Sequence, residues 1–225
     1  MKRNISVGAY GWRHSHWLGT FYPEDLPVSV EEDWRLTYYS NEFNCVLVPA
    51  DYCLCLSGKK AVIDGNHWLD EVNDEFQFYV ECTMDIFDHV SFDTWSEQLK
   101  LLQPQLSALV ITENQRKIPE STLKQLKDLA EMLRVKVFAD GDYDLPIDLP
   151  IKSIWQKDRR CTSALALIED DLTDLRSVRA TMDGFVSQKS DIDQISSNAT
   201  IIVRSPRLQA VDLAQFRKVV EVMGY

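Results

Sequence analysis

Strand-like and helix-like runs alternate from one end of the chain to the other, and this alternation limits the fold more than any other feature. "ISVGAYGW" reads as a strand, and "VEEDWRLTYYSNEF" after Ser29 reads as a helix with acids in its first turn. "NCVLVPA" and "FQFYVECT" read as strands, separated by a weaker helix, "KKAVIDGNHWLDEV", that contains Gly65. "SFDTWSEQLKLLQPQL" is a helix that Pro104 should end. "SALVIT" and "VKVFAD" are strands on either side of "PESTLKQLKDLAEMLR", whose Leu123, Leu126, Leu129, Ala130 and Leu133 form a 3.6-period stripe. "YDLPIDLP" is turn-rich where a further helix is expected. "IKSIWQ" is a strand, "SALALIEDDLTDLRSVRATM" a helix, "GFVSQ" a short seventh strand, "ATIIVRS" an eighth, and "QAVDLAQFRKVVEVMGY" a closing helix.

Repeated strand–helix units with short connections imply parallel strands and right-handed crossovers. The expected fold is α/β, a single (β/α)8 TIM-type barrel, short and irregular after the fifth strand. An open doubly wound sheet is the alternative, but no G-x-G-x-x-G follows the first strand. No Pro/Gly/Ser linker or shift in composition interrupts the chain, so residues 1–225 are expected to form one domain.

The chain is acidic, with 24 basic and 35 acidic side chains and a net charge of −11. That balance argues against nucleic-acid and anionic-membrane binding, which need clustered Lys and Arg. "KDRR", Lys157 to Arg160, is too short to change this. No apolar run reaches the roughly 18 residues that a membrane span requires. The N-terminus has basic residues but no apolar secretory core, so a cytoplasmic location is expected. The five cysteines include no C-x-x-C pair, so no zinc ribbon is expected. Cys45 and Cys82 lie in apolar strands and read as buried free thiols. No nucleophile elbow or Walker loop occurs.

In a barrel, strand residues face either helices or the lumen. Phe76, Phe78, Val80 and Cys82 make one face of the third strand, and Gln77, Tyr79, Glu81 and Thr83 the other. Glu81 should therefore point inward, where a carboxylate needs a partner. Other polar groups stand at strand C-termini, the face where barrel enzymes keep their sites. They are Asp51, Glu113, Asp140 and Arg204. A bland reading pairs Glu81 with Arg204 as a buried structural ion pair.

"VGAYGWRHSHWLGTFYPEDLP" supplies a further cluster. Trp12, Trp17, Phe21 and Tyr22 are large rings, His14 and His16 are two apart, and Arg13 lies beside them. The rings would either cover the barrel mouth as core or form a stacking wall for a ligand. H-x-H is a legitimate pair for a divalent metal, but it needs further ligands.

This stretch resembles the N-terminal signature of the YecE-like family, domain of unknown function seventy-two. Gly8, Gly11, Trp12, Trp17, Gly19, Phe21, Tyr22, Pro23, Leu26 and Pro27 match its pattern, and "YYSNEFNCV" resembles the segment that follows. The resemblance implies a (β/α)8 barrel, with no established activity. It also brings out departures. Leu47 and Pro49 stand where the family carries a Glu and an Asn, and Glu81 where it carries a Lys. "FADGDYD" and "VRSPR" replace the family's polar strand ends.

Two readings follow. In one, the chain binds or acts on a small polar ligand, sugar-like or phosphorylated, at the C-terminal barrel face. His14, Glu81 and Asp140 would do acid–base work, and Trp12, Arg13, His16, Trp17, Tyr22, Glu113 and Arg204 would hold the ligand. In the other, it is a non-catalytic binding or scaffold protein that kept the fold and lost the family's site. The stripe Leu213, Phe216, Val219, Val220 and Met223 of the last helix is expected to dock on the chain itself, with a second subunit as the alternative.

Overall fold

The computed structural model of the chain describes residues 4–25, 31–53, 65–112, 119–140, 151–157, 163–170, 172–190 and 198–225. These form two compact units, Met1–Val46 with Ile154–Tyr225, and Leu47–Ser153.

In the first unit, β1 (Asn4–Tyr10) pairs in parallel with β8 (Asn198–Val203), and β8 with β7 (Leu165–Ile168). Val7 lies opposite Ile201, and Leu167 opposite Ile202. Every residue of β7 is buried, as is β8 after its first residue, as expected of parallel strands covered on both faces. The covering helices are α1 (Glu31–Glu42), α6 (Leu175–Ser190) and α7 (Ala210–Val222). Val178, Met182, Phe185 and Val186 make the buried stripe of α6, and Leu213, Phe216 and Val220 that of α7. The α7 stripe thus packs on its own chain, against β1 and α6.

β2 (Cys45–Val48) begins in this unit. Its approach to β1 depends on Gly8, where an added Cβ would stand 2.1 Å from the Cys45 carbonyl oxygen. Tyr39 of α1 fixes the same junction. Its hydroxyl accepts the Ala9 N–H at 2.7 Å and donates to the Cys45 carbonyl at 2.8 Å.

The second unit holds the end of β2 and then β3 (Gln77–Cys82), β4 (Leu106–Thr112), β5 (Lys136–Asp140) and β6 (Ile151–Ser153). β3 pairs with β4, β4 with β5 and β5 with β6, all in parallel. Its helices are α2 (Gly65–Asp70), α3 (Met84–His89), α4 (Phe92–Leu102) and α5 (Glu120–Leu133). Ser91 caps α4, its hydroxyl accepting the Thr94 N–H at 3.2 Å. The expected stripe of α5 is buried at all five positions. Strand neighbours follow sequence order, with β8 beside β1, and this is the order of the TIM-like α/β class.

One stretch differs in state from the sequence expectation. The seventh strand is Leu165–Ile168, inside the segment expected to be helical, and "GFVSQ" is the last part of α6. Tertiary burial decides both. "LALI" is covered on both faces, while Phe185 and Val186 continue the buried stripe set by Val178 and Met182. α3 was not anticipated. The turn-rich residues 141–150 lie outside the described residues. Among the described residues, no helix is long and apolar enough to cross a membrane.

Two outcomes follow from the backbone. Gly8→Ala should destabilise the protein by about 3 kcal/mol or more, since its contact is main chain and cannot swing away. Arg134 ends α5 at φ 59°, its N–H reaching the Ala130 and Glu131 carbonyls. Arg134→Gly should therefore stabilise by about 1 kcal/mol. Urea denaturation of the two variants checks both signs.

Candidate functional site

Beyond β1 the chain turns at Gly11, whose φ is 76°, into the aromatic loop. Trp12, Trp17 and Tyr22 are almost wholly buried. The Trp17 indole N–H donates to the Leu208 carbonyl at 2.6 Å. His16 Nε2 lies 2.7 Å from the same oxygen. A carbonyl only accepts, so His16 carries its proton on Nε2. The Tyr22 hydroxyl donates to the Trp12 carbonyl at 2.6 Å. Trp17 lies parallel to Tyr39 at 6.4 Å, and Tyr39 packs on Phe43 at 4.9 Å. These rings extend the core of the first unit, and their polar atoms tie the loop to main chain.

His14 sits within this packing, its ring 4.2 Å from that of Trp17 and 5.4 Å from that of His16. Burial, followed by the charge of His16, pushes its pKa down to about 4, while the Gly11 and Tyr10 carbonyls act in the opposite sense. At neutral pH the imidazole is uncharged. Its Nε2 is buried and has no hydrogen-bond partner among the described residues. Arg13 places its guanidinium 5.5 Å from the Trp12 ring centre, within cation–π range. Arg204, just past β8, pairs with Glu169, just past β7, at 2.5 Å.

In the second unit Glu81 is 2% exposed. One carboxylate oxygen accepts the Ala50 N–H at 2.8 Å, and the other accepts the Thr112 hydroxyl at 2.7 Å. Among the partners of the buried carboxylate are thus a backbone amide and a neutral hydroxyl. Glu81 is in register with Val110, and Thr112 with Asp140. Glu81, Thr112 and Asp140 therefore share one face, and Asp140 is half-buried at the end of β5. Glu113 lies outside the described residues. Among the described residues, no three His, Cys, Asp or Glu side chains gather as a metal site would need. Cys45 and Cys82 are buried free thiols, and burial pushes the Cys45 thiol pKa far up.

A feature that sequence reasoning missed lies in the first unit. Trp155, two residues past β6, forms a parallel bridge to Ala166 of β7. Beside it is a cavity of about 220 Å³, bounded by Trp155, Lys157, Ile168, Glu169, Asp170 and Thr181. Lys157 Nζ lies 3.3 Å from an Asp170 carboxylate oxygen and 3.3 Å from the Ser177 hydroxyl. The signal is "LALIED" read as a strand followed by its C-terminal loop; read as a helix, it scatters the acids over a surface.

A family model described as protein of unknown function DUF72 matches residues 6–139. Among solved structures, the chain is similar to a DUF72 family protein from Enterococcus faecalis. The identity is 10%, the TM-score 0.57, and 97% of this chain and 98% of that one are covered. A second, QR15, an aldolase, aligns with a TM-score of 0.37 at 9% identity over 98% and 95% of the two chains. No curated protein matches the chain.

The depressed His14 pKa has a sign. Unfolded, its pKa of 6.5 lies above the folded value of about 4, so the unfolded state takes up the proton first. Stability should fall as pH drops from 6.5 towards 4, by about 3 kcal/mol in all from this group. His14→Gln should flatten that decline in urea denaturation measured across this range.

Proposed function

The chain belongs to the DUF72 family of proteins of unknown function, and from its geometry we propose that it binds a small polar ligand without transforming it. The family is the one that the Gly8–Pro23 stretch resembles. The reading is carried by the state of Glu81. A general acid or base must offer an oxygen to the substrate's proton, within about 2.6–3.2 Å. Glu81 is 2% exposed, and its oxygens are turned to the Ala50 N–H and the Thr112 hydroxyl, so a substrate has no open approach to either.

Several other residues expected at the site support the same reading. A base works best with a pKa near the working pH, and His14, at about 4, is far below it. Trp17 and Tyr22 are core residues whose polar atoms are bonded to main chain. Arg204 is held by Glu169, and His16 by Leu208. Support for a ligand comes from the strand C-terminal side of the first unit, where the cavity beside Trp155 combines apolar walls with charged groups.

Glu81→Gln keeps an acceptor for Ala50 and should fold. In a thermal-shift panel of sugars, sugar phosphates and amino acids, a ligand that raises the melting temperature of the wild type should raise that of Glu81→Gln equally. Proton NMR should find that ligand chemically unchanged after long incubation. A ligand consumed by the wild type and left intact by Glu81→Gln would overturn the proposal.

A further inference from the structure

We infer that the cavity beside Trp155 is the ligand site, and that it takes an uncharged polyhydroxylated molecule of about monosaccharide size; this rests on the binding reading above.

Volume sets the size. About 220 Å³ holds roughly seven waters at about 30 Å³ each, less than the roughly 300 Å³ at which sites for drug-sized ligands begin. Ile168 and the Trp155 indole supply apolar wall for the C–H faces of a ring. Trp155 is 2% exposed, and its Nε1–H has no partner among the described residues.

Charge sets the class. Each charged group named at this cavity faces an opposite one: Lys157 with Asp170, and Glu169 with Arg204. A phosphate would bring a third anion beside two carboxylates, and an ammonium would meet Lys157. A hydroxyl both donates and accepts, so a neutral polyol bonds to carboxylate and ammonium without breaking either ion pair.

The loop carrying these acids is also strained. Leu172, two residues past Asp170, is buried with φ 59°, a conformation that bulky residues avoid. Such strain persists where the surroundings fix the backbone, and it clusters at ligand clamps. The cavity lies past the C-terminal end of β7, the side on which folds of this class bind ligands.

The test is calorimetric titration of wild type, Trp155→Phe and Asp170→Asn with neutral aldoses and alditols, their phosphates, and free amino acids. The expected result is binding of at least one neutral polyol, weakened about tenfold or more by each substitution. Asp170 is half-exposed, so that variant should fold even if Trp155→Phe does not. Polyol binding indifferent to Asp170→Asn would overturn the site and leave the binding reading standing. Binding confined to phosphates or amino acids would overturn the ligand class alone. No binding by any compound up to about 10 mM, weaker than any useful affinity, would overturn both.

Discussion

The junction of β1 with the start of β2 is the constraint on which the first unit is built. Val7, Gly8 and Ala9 of β1 and the residues of β2 are buried, so the backbone groups there have no water to turn to. Gly8 lets the main chains come within a distance that any side chain would forbid. The Tyr39 hydroxyl then serves as donor to one strand and acceptor from the other. With Tyr39 held in this way, its ring forms a fixed platform. Trp17 stacks on that platform, and Phe21 and Tyr22 pack against Trp17. The aromatic loop is thus an extension of the core, resting on the Tyr39 ring and tied to main chain through Trp17, His16 and Tyr22.

The strand–helix alternation was legible because most elements carry their own signature. α5 announces itself through Leu123, Leu126, Leu129, Ala130 and Leu133, and β3 through the alternation of Phe76, Phe78, Val80 and Cys82 with polar residues. β7 carried no such mark. A four-residue apolar strand followed by acids has the same local look as the start of a helix, and only burial on both faces separates the two. The Gly8–Pro23 signature was legible as a family resemblance, but the fate of its rings was not. Sequence alone cannot say whether an indole lies against a phenol or against solvent.

For the site, the sequence showed that Glu81 would need a partner, and it suggested a cation because cations are the partners a sequence displays. Its partners include a backbone amide, which every residue offers, and a threonine hydroxyl on the neighbouring strand. Neither stands out in a list of residue types. The cavity was hidden for a related reason. Trp155 and Asp170 come together only once β7 is a strand, so one error of state removed the whole cluster from view.

The Leu208 carbonyl receives both Trp17 and His16, from 191 and 192 positions away in sequence. During synthesis at about 5–20 residues per second, the N-terminal loop therefore emerges roughly 10–40 s before its acceptor exists. For that interval the nascent chain carries its largest cluster of indoles and phenols without the segment that closes it. The same separation that ties residues 16 and 17 to residue 208 in the finished fold leaves that indole and imidazole without their acceptor in the unfinished one.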